Sequence, residues 1–117
     1  MTLKEFYSIT GGDYRNVIDR LDSERIVIKF LRRFSGDVLF EQLEQEIVAG
    51  NQKEAFQLAH TFKGACVNMG LGSLEESTKQ LTEALRENLL SQVPSLFEKV
   101  KEDYMVVVKA IESLDGI

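Results

Sequence analysis

Seven residues near the C-terminus, Val93, Phe97, Val100, Tyr104, Val107, Ile111 and Leu114, follow one another in alternating steps of four and three. That is the 3.5-residue seam along which one helix packs against another, and a strand with its period of two cannot satisfy it. A lone helix with such a seam has nothing to bury it against, so the chain must supply partners. Residues 51–69 place Ala55, Ala59, Phe62, Cys66 and Met69 on one stripe. Leu71 to about Glu87 repeats Leu71, Leu74, Thr78, Leu81 and Leu85 at spacings of three and four. Upstream, Ser23-Glu24 opens a stretch with Ile26, Val27, Phe30, Leu31 and Phe34 on its apolar side. Its phase slips at Ser35-Gly36-Asp37, where Asp37 can cap a restart. Leu39, Leu43 and Ile47 then carry the stripe to Ala49, and Gly50-Asn51 reads as a turn.

With one proline and most glycines lying between the periodic segments, the punctuation is that of a helical protein. Short connections force antiparallel neighbours. The spacing therefore predicts an all-α fold, an antiparallel up-and-down four-helix bundle with a short additional N-terminal helix near Tyr14 to Leu21, capped by Asp13. The first twelve residues close on the turn signal Gly11-Gly12. An extended coiled coil would show the same seam, but breaks at Gly36, Gly50, Gly70-Leu71-Gly72 and Leu90 to Pro94 keep each helix short. A length of 117 residues suits one domain, expected to span 1–117.

Several function classes drop out. The net charge of −5, without basic clusters, disfavours nucleic acid. One cysteine, Cys66, excludes an internal disulfide and a cysteine-based zinc site, and one histidine, His60, excludes a multi-histidine metal cluster. Carboxylate metal sites in bundles use Glu-x-x-His pairs, and Gln57 stands three before His60. No metal is expected. The N-terminus has no signal-peptide core, and the longest strongly apolar run, Met105 to Val108, is too short to span a bilayer. Gly70-Leu71-Gly72 follows no strand, so it is a helix connector and not a phosphate-binding loop. A soluble, cytoplasmic monomer without an intrinsic cofactor is expected.

At about 100° per residue, His60 falls near 160° from Phe62 and so faces away from the apolar stripe. Gly64 lies one turn on, and Lys63 about 60° to the other side. Gln57 and Lys53 complete this outward face, with Phe56 and Val67 on its flank. The one acid of the segment, Glu54, points elsewhere, which leaves His60 in a cationic neighbourhood of an acidic chain. A mid-helix glycine costs about 1 kcal/mol relative to alanine. A bare patch beside the imidazole, where another molecule's surface can come close, is a reason to bear that cost.

Imidazole is a neutral nucleophile near pH 7. A transferring phosphoryl group carries charge on its oxygens, so its transfer is mostly positioning and electrostatic stabilisation. A lysine beside the histidine fits that need, and nearby carboxylates would oppose it. No carboxylate is placed to orient His60 for general-base work.

The run His60-Thr61-Phe62-Lys63-Gly64-Ala65-Cys66-Val67-Asn68-Met69-Gly70, with Ala59 before it and Leu74 after, resembles the signature of histidine phosphotransfer (HPt) domains. The motif covers about a dozen positions, and helix lengths and order match over nearly the whole chain. The resemblance implies a helical bundle whose exposed histidine shuttles a phosphoryl group between receiver-domain aspartates, or from a sensor kinase to a receiver. It implies that His60 is the phosphorylated residue, that Lys63 balances phosphate charge, and that Gly64 admits the partner. Gly70 would end the helix and permit tight packing. Phe56, Gln57 and Val67 would join Gly64 in the docking surface. The chain would be a phosphoryl carrier and not an enzyme, the magnesium ion and carboxylate cluster belonging to the partner receiver.

Two apolar positions depart from the usual pattern, Phe62 for leucine and Leu71 for a small residue. Thr82 stands where the chemotaxis-kinase branch carries a glutamate touching its histidine, which favours the general relay branch, and Glu83 should face away. Two rivals keep a place beside this reading. One is an interaction module that binds a receiver or helical partner without being phosphorylated. The other is an enzyme using His60 as acid or base, which would need a second catalytic group that the sequence does not show.

Overall fold

A computed structural model describes residues 1–115, and every regular element among them is helical. In chain order these are α1 (Leu3–Ile9), α2 (Tyr14–Leu21), α3 (Glu24–Gly36), α4 (Leu39–Ala49), α5 (Gln52–Asn68), α6 (Gly72–Arg86) and α7 (Val93–Glu112). α4 to α7 form the antiparallel up-and-down bundle, and α3 continues α4 beyond a bend. Asp37 makes that bend, its Oδ1 accepting from the Leu39 backbone N–H at 2.8 Å.

The seam is buried where its spacing requires, at Val93, Phe97, Val100, Val107 and Ile111 of α7 and at Leu114 just beyond it. Tyr104 is half-covered and stacks on Phe40 of α4 with ring centroids 4.0 Å apart. Phe97 stacks on the same Phe40 ring at 5.6 Å, and Phe34 stacks on Phe62 of α5 at 5.6 Å. Outside this aromatic cluster, Lys101 of α7 pairs with Glu44 of α4 at 2.9 Å. α5 and α6 meet through small buried residues, Ala55, Ala59 and Cys66 on one side and Ser77, Thr78 and Ala84 on the other. Small side chains let the two backbones approach, and α6 covers the buried side of α5.

The N-terminus departs from expectation. Two short helices precede the bundle where one is expected, because residues 3–9 are helical as well. The cause is local and tertiary together. Thr2 and Glu5 form a capping box, with the Thr2 Oγ1 accepting from the Glu5 N–H at 3.2 Å and Glu5 Oε1 accepting from the Thr2 N–H at 3.0 Å. Leu3, Phe6 and Tyr7 then bury fully, and the Tyr7 hydroxyl donates to the Met69 carbonyl at 2.6 Å. Asp13 caps α2 as expected, accepting from the Asn16 N–H at 3.2 Å. Ser23 occupies the N-cap position of α3 without a side-chain capping bond.

The loop between α1 and α2 interlocks with the loop between α5 and α6. The Ser73 N–H donates to the Thr10 carbonyl at 3.1 Å, and a Cβ on Gly12 would stand 2.1 Å from the Gly70 carbonyl oxygen. No side chain fits there. The N-terminal helices are thereby fixed against the C-terminal end of α5.

Candidate functional site

α5 is built so that its middle can be bare on one side. Ala55, Ala59, Phe62 and Cys66 recur at three and four and are all buried, which anchors one stripe of the helix. The opposite stripe carries Gln57, His60, Gly64 and Val67, and all four are exposed. His60 stands where its rotation about the helix places it, in solvent near the middle of a 17-residue helix.

Its surroundings are partly those expected. A Cβ added to Gly64 would meet no atom within 4 Å, so this glycine is not required by packing. It opens a gap one turn from the imidazole. Val67, beyond it, is 45% exposed, a large fraction for an apolar side chain. Lys63 is half-buried at the edge of the face, and Thr61 is turned back, donating to the Gln57 carbonyl at 3.1 Å. Phe56 is half-buried, and its ring lies nearly parallel to the imidazole at 6.2 Å, with 23° between the planes.

Sequence reasoning missed Arg86. Its guanidinium carbon sits 5.6 Å from the centroid of the Phe56 ring, so His60, Phe56 and Arg86 form a chain of neighbours running from α5 to the end of α6. Stacking of this kind holds a guanidinium in place without using up its charge. Among the described residues neither Lys63 nor Arg86 has a carboxylate within ion-pair distance. Two cations without a carboxylate partner thus lie in the neighbourhood of the imidazole, Lys63 one turn along α5 and Arg86 beyond the Phe56 ring. No local motif could reveal the second, because Arg86 lies 26 positions away on another helix. The available signals were its place as the last residue of α6 and the half-apolar position of Phe56, which needs a cover.

Thr82 is buried and donates its hydroxyl to the Thr78 carbonyl at 2.7 Å, so it offers His60 no acid, and Glu83 is exposed. No carboxylate among the described residues bonds the imidazole, which leaves no oriented acid–base pair there. No cluster of three or more His, Cys, Asp or Glu able to hold a metal occurs among the described residues. None of the described helices is long and apolar enough to cross a membrane. Cys66 is buried against α6, and burial pushes its thiol up to about 12.

Gly70 closes α5. It has φ +65, and the backbone N–H groups of Gly70 and Leu71 donate to the carbonyls of Val67 and Cys66, the paired bonds of a Schellman ending. A Cβ at Gly70 would stand 2.4 Å from Val17 Cγ2, so both the turn and the contact with α2 require glycine.

The family model described as Hpt domain matches residues 31–115, a span that contains the end of α3, all of α4 to α7, and His60. Among curated proteins and solved structures nothing matches the chain.

Proposed function

The chain belongs to the Hpt domain family, whose members are phosphocarrier modules of two-component signalling, and from that membership we propose that His60 is its phosphoryl-carrying residue. The observation that carries this reading is a solvent-exposed imidazole beside an uncovered Gly64, with Lys63 one turn along the helix and Arg86 beyond the neighbouring Phe56 ring. A receiver aspartyl phosphate, or a sensor kinase, approaches across the Gly64 gap. The imidazole nitrogen attacks phosphorus, the bond to the donor atom breaks, and the group rests on His60. Reversal of the same step passes it to the next carboxylate.

Lys63 and Arg86 act on the phosphoryl oxygens. Charge that builds there during transfer is offset without a metal on this chain, and the ion that assists sits in the receiver, beside the aspartate. Among the described residues no oriented base stands by the imidazole to activate water. The chain thus stores the group and does not hydrolyse it. Phe56, Gln57, Gly64 and Val67 form the docking rim. The carrier works as a cytoplasmic monomer and needs no cofactor of its own.

The test is incubation with phosphorylated receivers and with sensor kinases, followed by mapping of the label. The wild type acquires an acid-labile, base-stable phosphoryl group, and His60→Gln folds normally and acquires none. Undiminished labelling of that variant ends the proposal. Binding to a receiver that is equally tight for wild type and His60→Ala, with no label on either, would establish an interaction module instead.

A further inference from the structure

Residues 1–36 carry seven Lys and Arg against five Asp and Glu, whereas residues 37–117 carry seven against fourteen. The positive end of this acidic chain is folded back on the helix that bears His60. Arg20, in the last turn of α2, donates from Nη2 to the Asn68 carbonyl at 3.0 Å, and from Nε to the Asn16 Oδ1 at 3.1 Å. Its guanidinium is exposed, and no carboxylate lies within ion-pair distance among the described residues. A guanidinium has five N–H donors. Those two bonds fix its position and use two of the donors, leaving others free for a carboxylate of a partner.

The distance from His60 is what gives this arginine a task. Asn68 lies eight residues along α5, about 12 Å of helix rise from His60. An interface of ordinary size buries about 800 Å² per partner, a disc of roughly 16 Å radius. Asn68 therefore falls within the disc of a partner centred on His60, which brings Arg20, bonded to the Asn68 carbonyl, to the rim of that contact. Between the two points the surface is continuous, passing over Gly64, the exposed Val67 and the exposed Asn68. α2 is held in place by the fully buried Val17, seated against Gly70, and by its packing on α1, which the Tyr7 bond to Met69 ties to the end of α5. The family match begins at residue 31, so α2 lies outside what this chain has in common with the family model.

From this placement we propose that α2 is a partner-selecting element, and that Arg20 pairs with an acidic side chain on the docked receiver at the rim of the contact, away from its phosphoryl aspartate. The inference rests on the carrier reading of His60 and adds a contact remote from the reacting atoms. Arg20 is a docking residue, so it should govern how readily a receiver binds and leave the chemical step alone.

The experiment measures transfer from phosphorylated receivers to the full chain over a range of receiver concentrations and salt. Arg20→Glu should raise the half-saturating concentration of its preferred receiver by about tenfold or more, with the saturated rate within about twofold of wild type. It should also flatten the salt dependence and reorder the receivers. Arg20→Lys, which keeps the charge but loses the fork, should fall between the two. Changing the matching receiver acid to lysine should restore transfer to Arg20→Glu. If Arg20→Glu only lowers the unfolding temperature and leaves half-saturation and receiver order unchanged, Arg20 is a helix cap alone and the proposal is overturned. A wild-type chain labelled by no receiver or kinase overturns the carrier reading with it; a labelled wild type matched by Arg20→Glu overturns only the docking role.

Discussion

Gly64→Ala separates folding from function at one atom. The position is interior to α5, and an added Cβ meets nothing within 4 Å, so the methyl group costs no strain and fills no cavity. What remains is backbone entropy and helix propensity, worth about 1 kcal/mol in favour of alanine. For a chain of this size that corresponds to a rise of about 4 °C in the unfolding midpoint, followed by far-UV circular dichroism. Transfer should move the other way. A partner seated on the bare backbone must withdraw or repack to admit a methyl group, and overpacking of a close-fitting contact costs about 1–3 kcal/mol. Single-turnover transfer from a phosphorylated receiver below saturation should therefore slow by roughly tenfold. Two results refute the reasoning. A less stable variant would mean that the site is not open, and a more stable one with full transfer speed would mean that no partner uses the gap.

Lys63→Glu should slow transfer far more than it weakens docking, because the lysine acts on phosphoryl charge that exists only during and after the reaction; binding and single-turnover measurements on the same receiver compare the two. Among the described residues the buried Thr78 hydroxyl has no well-formed hydrogen bond, its neighbour across the α5–α6 seam being the Cys66 thiol. Removing an unsatisfied buried hydroxyl relieves its desolvation, so Thr78→Val should raise stability by about 1 kcal/mol in denaturant titrations. Cys66 should resist thiol reagents at pH 8 in the folded chain and react promptly once unfolded. Its folded value of about 12 lies above the ordinary 9.0, so the neutral thiol's full contribution to stability is present below pH 9 and is lost as pH rises toward 12. Thermal unfolding between pH 8 and 11 should show that decline, and Cys66→Ala should lessen it.

The bundle was legible because its information is periodic. Each of the long helices carries an apolar stripe that fixes its rotation, and rotation alone placed His60, Gly64 and Val67 outside and Cys66 inside. The helix α1 was missed for the opposite reason. Seven residues give too few turns for a period to declare itself, and its stability comes from burying Leu3, Phe6 and Tyr7 against elements far along the chain. The capping box of Thr2 and Glu5 was the one local sign. Arg86 and Arg20 were hidden for a third reason. Each reaches α5 from another helix, and the registration of one helix against another is set by packing at Ala59, Gly70 or Val17, not by a pattern within either segment.

The central claim is that His60 holds a phosphoryl group in a form that a receiver can take back. Purified, phosphorylated chain, freed of its donor, is mixed with an unphosphorylated receiver and magnesium, and intact-mass spectrometry follows both proteins over time. The account predicts that the mass of one phosphoryl group leaves this chain and appears on the receiver, and that peptide mapping places its origin at His60. Loss of the group to inorganic phosphate while the receiver stays unmodified, or its origin at any other residue, contradicts it.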